Sequence, residues 1–275
     1  MRVLFPNTLD EAYGMLAAEP LTPVAGGTDL LAHWPGNHDA RKRAYMDLSG
    51  VSGLRFIHWG DEALTLGGLT TYSDVIRDSR VAEEFPLLAD AGTQVGSIQI
   101  QTRGTWAGNI ANGSPAADGV PVLMGYDAVV VLGSEEGDQE IPLSDFYLGY
   151  KEMRLQAHQL IRAIRLPRHE YGFQRFVKVG GRNSQAITKI GVALTCAGGR
   201  WRVVVNSMAP TVRRCPALEA LLDAARPVSG PEDLLTAIRE DLAPIDDIRS
   251  TATYREKALA RVLYFDLKGV CTSFA

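Results

Sequence analysis

The sequence predicts an α+β fold in two domains, and three observations carry that expectation. The chain has 275 residues, 46% of them hydrophobic and 22% charged, enough to bury two cores better than one. Up to about residue 167, helix and strand signals intermingle. Beyond a plausible linker at 167–172, three strand-like segments follow one another and helices come after them.

The elements follow in order. Thr8 and Glu11 read as a capping box ahead of Ala12, Leu16 and Ala17, so a first helix runs to Pro20. Residues 22–25 form a short strand entering Gly26-Gly27-Thr28-Asp29, with a helical Leu30-Leu31 beyond. A second strand spans 45–48. Residues 54–58 and 63–67 read as a hairpin through Gly60-Asp61, and 73–77 and 86–92 look helical. The stretch 96–117 is rich in Gly, Ser, Thr and Asn and has no clean period. A run of that kind inside a compact domain is expected to be a functional loop. Residues 127–132 are a buried strand and 134–139 an acidic turn, with 142–146 and 160–166 completing the first half. In the second half, 173–179, 188–196 and 201–206 read as strands, with Gly198-Gly199 as a hairpin turn. Helices at 216–224 and 231–242 each begin with Pro, and a last helix covers 252–263. The second domain is thus expected to be three antiparallel strands with three helices on one face.

Composition removes several function classes. A net charge of −4 and a pI near 5.8 argue against nucleic-acid binding. No apolar run approaches membrane-spanning length, and the first residues do not read as a secretory signal. Cys196, Cys215 and Cys271 are too scattered for a disulfide framework, zinc or an iron–sulfur cluster, so a reducing compartment, the cytoplasm, is expected. His33, His38 and Asp39 read as a solvated loop rather than a metal site. The basic run Arg41-Lys42-Arg43 reads as a solvated turn, with docking of an acidic partner left open.

Two glycine-rich loops carry the chemistry. Ala25-Gly26-Gly27-Thr28-Asp29 lies between a strand and a helix, where backbone N–H groups converge on an anion and glycine lets the main chain approach a phosphate. Taken alone it is equally an ordinary turn. The second, from Thr102 through Thr105, Gly108 and Asn109 to Ser114 and Asp118, offers hydroxyls, amides and small residues with one acid at its end. A sugar and a diphosphate need such donors, and Asp118 is placed to accept from a ribose hydroxyl. Neither loop is a GxGxxG fingerprint or a Walker motif, so a dinucleotide would bind through two separated loops.

The loops and much of the remaining chain resemble the flavoproteins of the molybdenum hydroxylases, of the xanthine dehydrogenase and carbon monoxide dehydrogenase type. Val24 to Leu31 (VAGGTDLL) looks like that family's first flavin loop, and RGTWAGNIANGSPAAD at 103–118 is similar to its second. LTLGGLTTY at 64–72, the stretch 145–166 and the closing helix with Tyr254-Arg255 extend the likeness over about 1–265. The resemblance implies an FAD-binding domain of the vanillyl-alcohol-oxidase (PCMH) type at 1–167, with subdomains about 1–53 and 54–167. A small domain like the C-terminal one of carbon monoxide dehydrogenase flavoproteins would follow at 172–270. It implies cofactor contacts at Ala25, Gly26, Gly27, Thr28, Asp29, Leu30, Val95, Gly96, Thr105, Trp106, Ala107, Gly108, Asn109, Ser114, Asp118, Ile161 and Lys178. It also implies electron transfer within a dimer of heterotrimers, with a molybdopterin-cofactor subunit and a subunit carrying [2Fe-2S] clusters as partners. Trp106 and Ala107 depart from the family's small aliphatic residue and glycine, and alanine keeps the loop only at negative φ. That departure keeps open a flavin-free scaffold subunit. A stand-alone flavin reductase or oxidase of the same fold is the other alternative.

Overall fold

A computed structural model of the chain describes residues 2–33, 43–182 and 185–275. His38, Asp39, Arg41 and Lys42 therefore lie outside the described residues, as does the side chain of His33. The chain divides into two compact units, each discontinuous in sequence: Met1–Gly113 with Asp127–Arg168, and Ser114–Tyr126 with His169–Ala275.

The first unit opens with β1 (Arg2–Leu4), α1 (Leu9–Ala18), β2 (Thr22–Val24), α2 (Thr28–His33) and β3 (Ala44–Asp47). Its three strands form a parallel sheet in the order β1-β3-β2. Thr8 caps α1, its hydroxyl accepting from the Glu11 N–H at 3.2 Å. The Glu11 carboxylate reaches the backbone N–H of Asn7 at 2.7 Å, one residue short of the expected box. Ala12, Tyr13 and Leu16 of α1 bury against Met46, Leu48 and Leu54, which fixes the helix on the sheet.

β4 (Ile57–Trp59) and β5 (Ala63–Gly67) form the expected hairpin. Five short helices follow: α3 (Tyr72–Ile76), α4 (Ser79–Glu84), α5 (Pro86–Gln94), α6 (Ile98–Gln101) and α7 (Trp106–Asn112). Thus 96–117 is not a structureless loop. Thr105 caps α7, accepting from Gly108 N–H at 2.9 Å, and Gly113 at φ +60° closes it in the left-handed conformation. A seven-residue helix containing a glycine and two asparagines shows too few apolar turns for periodicity to reveal it.

α8 (Gly119–Gly125) belongs to the second unit, after which the first resumes with β6 (Val129–Ser134) and β7 (Gly137–Pro142). The predicted acidic turn is therefore a hairpin. Its acids face arginines of β10 (Leu160–Pro167): Arg162 Nε donates to Asp138 at 3.0 Å and Arg165 Nη1 to Glu140 at 2.7 Å. Leu143–Asp145 make a 3-10 turn. A two-stranded hairpin, β8 (Tyr147–Gly149) and β9 (Glu152–Met153), precedes β10. The large sheet is antiparallel throughout, in the order β4-β5-β10-β6-β7.

The second unit holds β11 (Tyr171–Gly180), β12 (Thr188–Ala197), β13 (Arg200–Asn206) and a short fourth strand, β14 (Arg213–Arg214), paired in sequence order and antiparallel. Ile190, Val192, Leu194, Val203 and Val205 pack against α9 (Pro216–Asp223), α10 (Leu235–Asp241) and α11 (Ala252–Leu267). The opposite face is covered as well. Every residue of α8 is buried, and Thr195 of β12 donates through Oγ1 to the Gly125 carbonyl at 2.7 Å. Helices thus lie on both faces, not one. The extra helix comes from a segment that precedes the second half in sequence by some forty residues, and an all-apolar helix carries no pattern that names its partner. Among the described residues no helix is long and apolar enough to cross a membrane, and no cluster of three or more His, Cys, Asp or Glu could hold a metal.

Candidate functional site

In the first unit β2 delivers the chain into Ala25-Gly26-Gly27 and out along α2. Gly27 stands at φ +70°, a conformation glycine adopts without penalty. At Gly26 the constraint is contact. A Cβ there would lie 1.8 Å from the Arg103 carbonyl oxygen and 3.1 Å from the Gly104 nitrogen. The main chains of the two glycine loops therefore touch, and only a hydrogen fits between them.

The second loop is held from below. Gly104 N–H donates to Ile100 O at 2.6 Å, Tyr72 N–H to Gly104 O at 3.2 Å and Trp106 N–H to Thr70 O at 3.2 Å. The Trp106 side chain is fully buried, its ring 4.9 Å from that of Tyr72, with Gly92 of α5 leaving it room. Any contact Trp106 makes above the loop is through its backbone. Ala107 lies inside α7 with φ negative, as the departure from glycine requires. Gly108 is exposed and Asn109 half-buried, on the outer side of the same turn.

Two side-chain bonds clip the loops together. Arg103 Nε donates to Gly26 O at 3.4 Å, and Asn112 Nδ2 donates to Asp29 Oδ1 at 3.1 Å. Asn112 was not among the predicted site residues. Its one signal is the three-residue spacing from Asn109, which places both near one face of a helix. Val95 caps α5, and its carbonyl accepts from Gln101 Nε2 at 3.2 Å; Gly96 follows at φ +54°. Ile161 lies on β10, which packs against α7, and its carbonyl comes so close to Gly68 that a Cβ there would be 2.3 Å away. Tyr147 donates from its hydroxyl to Ile110 O at 2.9 Å, and burial pushes its phenol well above the usual range. That bond ties β8 to α7.

Ser114, Asp118 and Lys178 fall in the second unit. There Lys178 Nζ donates to Asp118 Oδ2 at 2.7 Å and Thr188 Oγ1 to Asp118 Oδ1 at 2.5 Å, with the lysine and aspartate side chains only 6% and 11% exposed. Asn206 Nδ2 donates to Ala117 O at 2.9 Å and Ser207 N–H to Pro115 O at 2.7 Å. Ser114 Oγ accepts from Ala116 N–H at 3.2 Å. Asp118, expected to receive a ribose hydroxyl, is thus already engaged by three side chains of its own unit, Lys178, Thr188 and, at 3.5 Å, Asn206 Nδ2. Burial at this depth demands partners for both charges. Thr188 and Asn206 escaped the sequence reading because their role arises only when two strand ends meet residues 114–118.

The residues of the first unit suit a dinucleotide. Gly26, Gly27, Gly104 and Gly108 leave the main chain bare over two adjacent loops; the first leads into α2, whose first N–H groups have no intrahelical acceptor, whereas at the start of α7 the Trp106 and Gly108 N–H groups are taken by Thr70 O and Thr105 Oγ1. No cysteine or histidine intervenes in residues 25–32 or 102–113. That combination suits a phosphate-linked cofactor and, Asp29 being held by Asn112, offers no histidine or cysteine for chemistry of its own.

The comparisons agree with this geometry. Residues 1–169 match the family model described as the FAD binding domain in molybdopterin dehydrogenase. The xanthine dehydrogenase FAD-binding subunit of Escherichia coli O157:H7 is 29% identical over 259 residues, covering 90% of this chain and 88% of that subunit. The nicotinate dehydrogenase FAD-subunit of Eubacterium barkeri is 31% identical over 193 residues, covering 68% of this chain and 65% of that one. Among solved structures, a chain of carbon monoxide dehydrogenase from Hydrogenophaga pseudoflava superposes with a TM-score of 0.84 at 26% identity, covering 94% of this chain and 93% of that one. With more than half its length matched, and a site whose bare main chain suits the cofactor, this protein belongs to the FAD-binding subunits of the molybdenum hydroxylase family of oxidoreductases.

Proposed function

We propose that this chain is the electron-transfer flavoprotein of its complex, receiving electrons from an iron–sulfur subunit and passing them to an external acceptor. The oxidation of substrate would belong to a molybdenum-cofactor subunit, and the assembly would be a dimer of heterotrimers in the cytoplasm. The observation that carries the reading is the contact between the two glycine loops, Gly26 against Arg103, within the family match. FAD supplies the ability to exchange electrons singly or in pairs. This chain's part is to bind and orient it. Residues 25–30 would hold the diphosphate, mostly by main-chain N–H groups, and residues 105–109 would close on it from the other side. Val95, Gly96 and Ile161 would border the remainder. Ser114, Asp118 and Lys178 would shape the stretch that follows α7 rather than donate to the cofactor. The buried Trp106 and helical Ala107 remove the reason for favouring a flavin-free scaffold.

The test is an absorption spectrum of the purified chain and of its co-purified complex, with FAD quantified after heat release. Near-stoichiometric FAD, reduced anaerobically by substrate only when the partner subunits are present, is the expected result. FAD reduced by substrate in the isolated chain would point to a stand-alone reductase instead.

A further inference from the structure

The sole cationic side chain in residues 25–32 and 102–113 is Arg103, set against one acid, Asp29. Asp29 has its carboxylate engaged by Asn112. Arg103 is exposed, and its Nε bond to Gly26 O at 3.4 Å is its one side-chain hydrogen bond among the described residues. Its backbone is clamped on both sides. The Arg103 carbonyl abuts Gly26, and the N–H groups of Arg103 and Gly104 both donate to Ile100 O, at 3.2 and 2.6 Å. The side chain therefore starts from a fixed point at the junction of the two loops. One edge of its guanidinium is anchored, and the outer nitrogens remain available to an anion.

We propose that Arg103 is the charge-compensating residue for the diphosphate, binding it through its outer guanidinium nitrogens while Nε clasps the first loop. This rests on the reading of the paired loops as the FAD site. Main-chain donors alone leave a dianion uncompensated, and Asp29 on the same turn adds repulsion. A planar guanidinium with one edge anchored can offer paired donors to phosphate oxygens, which an ammonium group cannot do in the same geometry. Arg103 thus tunes affinity, and it selects for the phosphorylated part of the cofactor rather than for the ring.

The experiment uses the full-length chain stripped of flavin and titrated with FAD by fluorescence at low and high salt, for wild type, Arg103→Gln and Arg103→Lys. Arg103→Gln is expected to weaken FAD binding roughly tenfold or more at low salt and to flatten its salt dependence. Arg103→Lys keeps the charge without the clasp or the paired donors and should bind between wild type and Arg103→Gln, with the salt dependence retained. Thermal melting of the three apoproteins checks the fold. Wild-type affinity in Arg103→Gln overturns the proposal, as does weakened binding with an unchanged salt slope, which would mark a merely structural role. A wild-type chain that takes up no FAD overturns the underlying reading of the site instead.

Discussion

The amide of Asn112 donates to the carboxylate of Asp29 at 3.1 Å across 83 residues of sequence. The bond joins the last turn of α7 to the first turn of α2, so the two ends of the loop pair are fixed in register. Asn112→Ala removes the donor and leaves the carboxylate at a phosphate-binding turn with one partner fewer. Its FAD affinity should fall by roughly 1–2 kcal/mol, with little change in melting temperature. Equilibrium titration beside a thermal scan separates the two effects.

Gly26→Ala tests the main-chain contact between the loops. The added methyl meets the Arg103 carbonyl, which is backbone and cannot swing aside. The loops must part, at a cost of about 1–3 kcal/mol, and flavin should be lost while circular dichroism stays native. Gly172→Ala, where a Cβ meets nothing within 4 Å, is the control and should retain flavin.

Trp106 is fully buried, and its indole N–H has no hydrogen-bond partner among the described residues. Trp106→Ala should destabilise the protein by about 3–5 kcal/mol through the cavity left beside Tyr72. Trp106→Phe removes the unpaired donor along with part of the ring and should cost much less, as read by urea unfolding.

In the second unit, Asp247 accepts from Arg249 and Ser250 N–H, from the Arg249 side chain and from Arg255 Nη2 at 2.7 Å. Desolvation pushes its pKa up, but these donors together outweigh it and hold the carboxyl far below the usual range. A group depressed in the folded state stabilises above its unfolded pKa, and that stability is lost as pH falls toward the folded value. The melting temperature of wild type should therefore drop below about pH 4, whereas Asp247→Asn, already less stable at pH 7 by roughly 2 kcal/mol, should show a shallower acid limb. Equal acid slopes for the two proteins would remove Asp247 as the cause.

Lys178→Met should cost about 3–5 kcal/mol, because Asp118 is left charged and buried. Adding Asp118→Asn should recover part of that loss. A double-mutant cycle by urea denaturation measures the coupling, and additive losses would mean that the pair acts as two independent residues.

Much of the fold was legible because long elements announce themselves. The three strands of the second unit and the Pro-initiated helices carry a period or a cap strong enough to read; the short strands at 22–24 and 44–47 were read as strands, but not that they lie in one parallel sheet. The short helices α4, α6, α7 and α8 were not legible. Each spans seven residues or fewer, and α8 is apolar on every side, so neither period nor polarity marks it. The candidate site divides in the same way. Glycines 26 and 27, between a strand and a helix, were visible as backbone permission, though alone they read equally as an ordinary turn, and Gly108 was visible only within its glycine-rich stretch. Arg103 and Asn112 were not legible as clips, because what matters about them is contact with residues some eighty positions away. Nor could the engagement of Asp118 with Lys178 be read, since it needs the end of β11 to meet a loop sixty residues earlier.

The placement of Ser114–Tyr126 bears on how the chain can be made. These thirteen residues emerge from the ribosome before β6, yet the strands they cover, β12 and β13, are complete only at residue 206. For that interval an apolar helix has no sheet to cover. The first unit, meanwhile, can close only once residue 168 has emerged, with the segment held out as an excursion. A chain ended after residue 168 would hold all of the first unit but leave the apolar α8 without its sheet, and no single cut yields the second unit whole. A graft of the flavin half onto another protein must therefore either carry the second half along or replace the buried apolar face of α8 with a polar one.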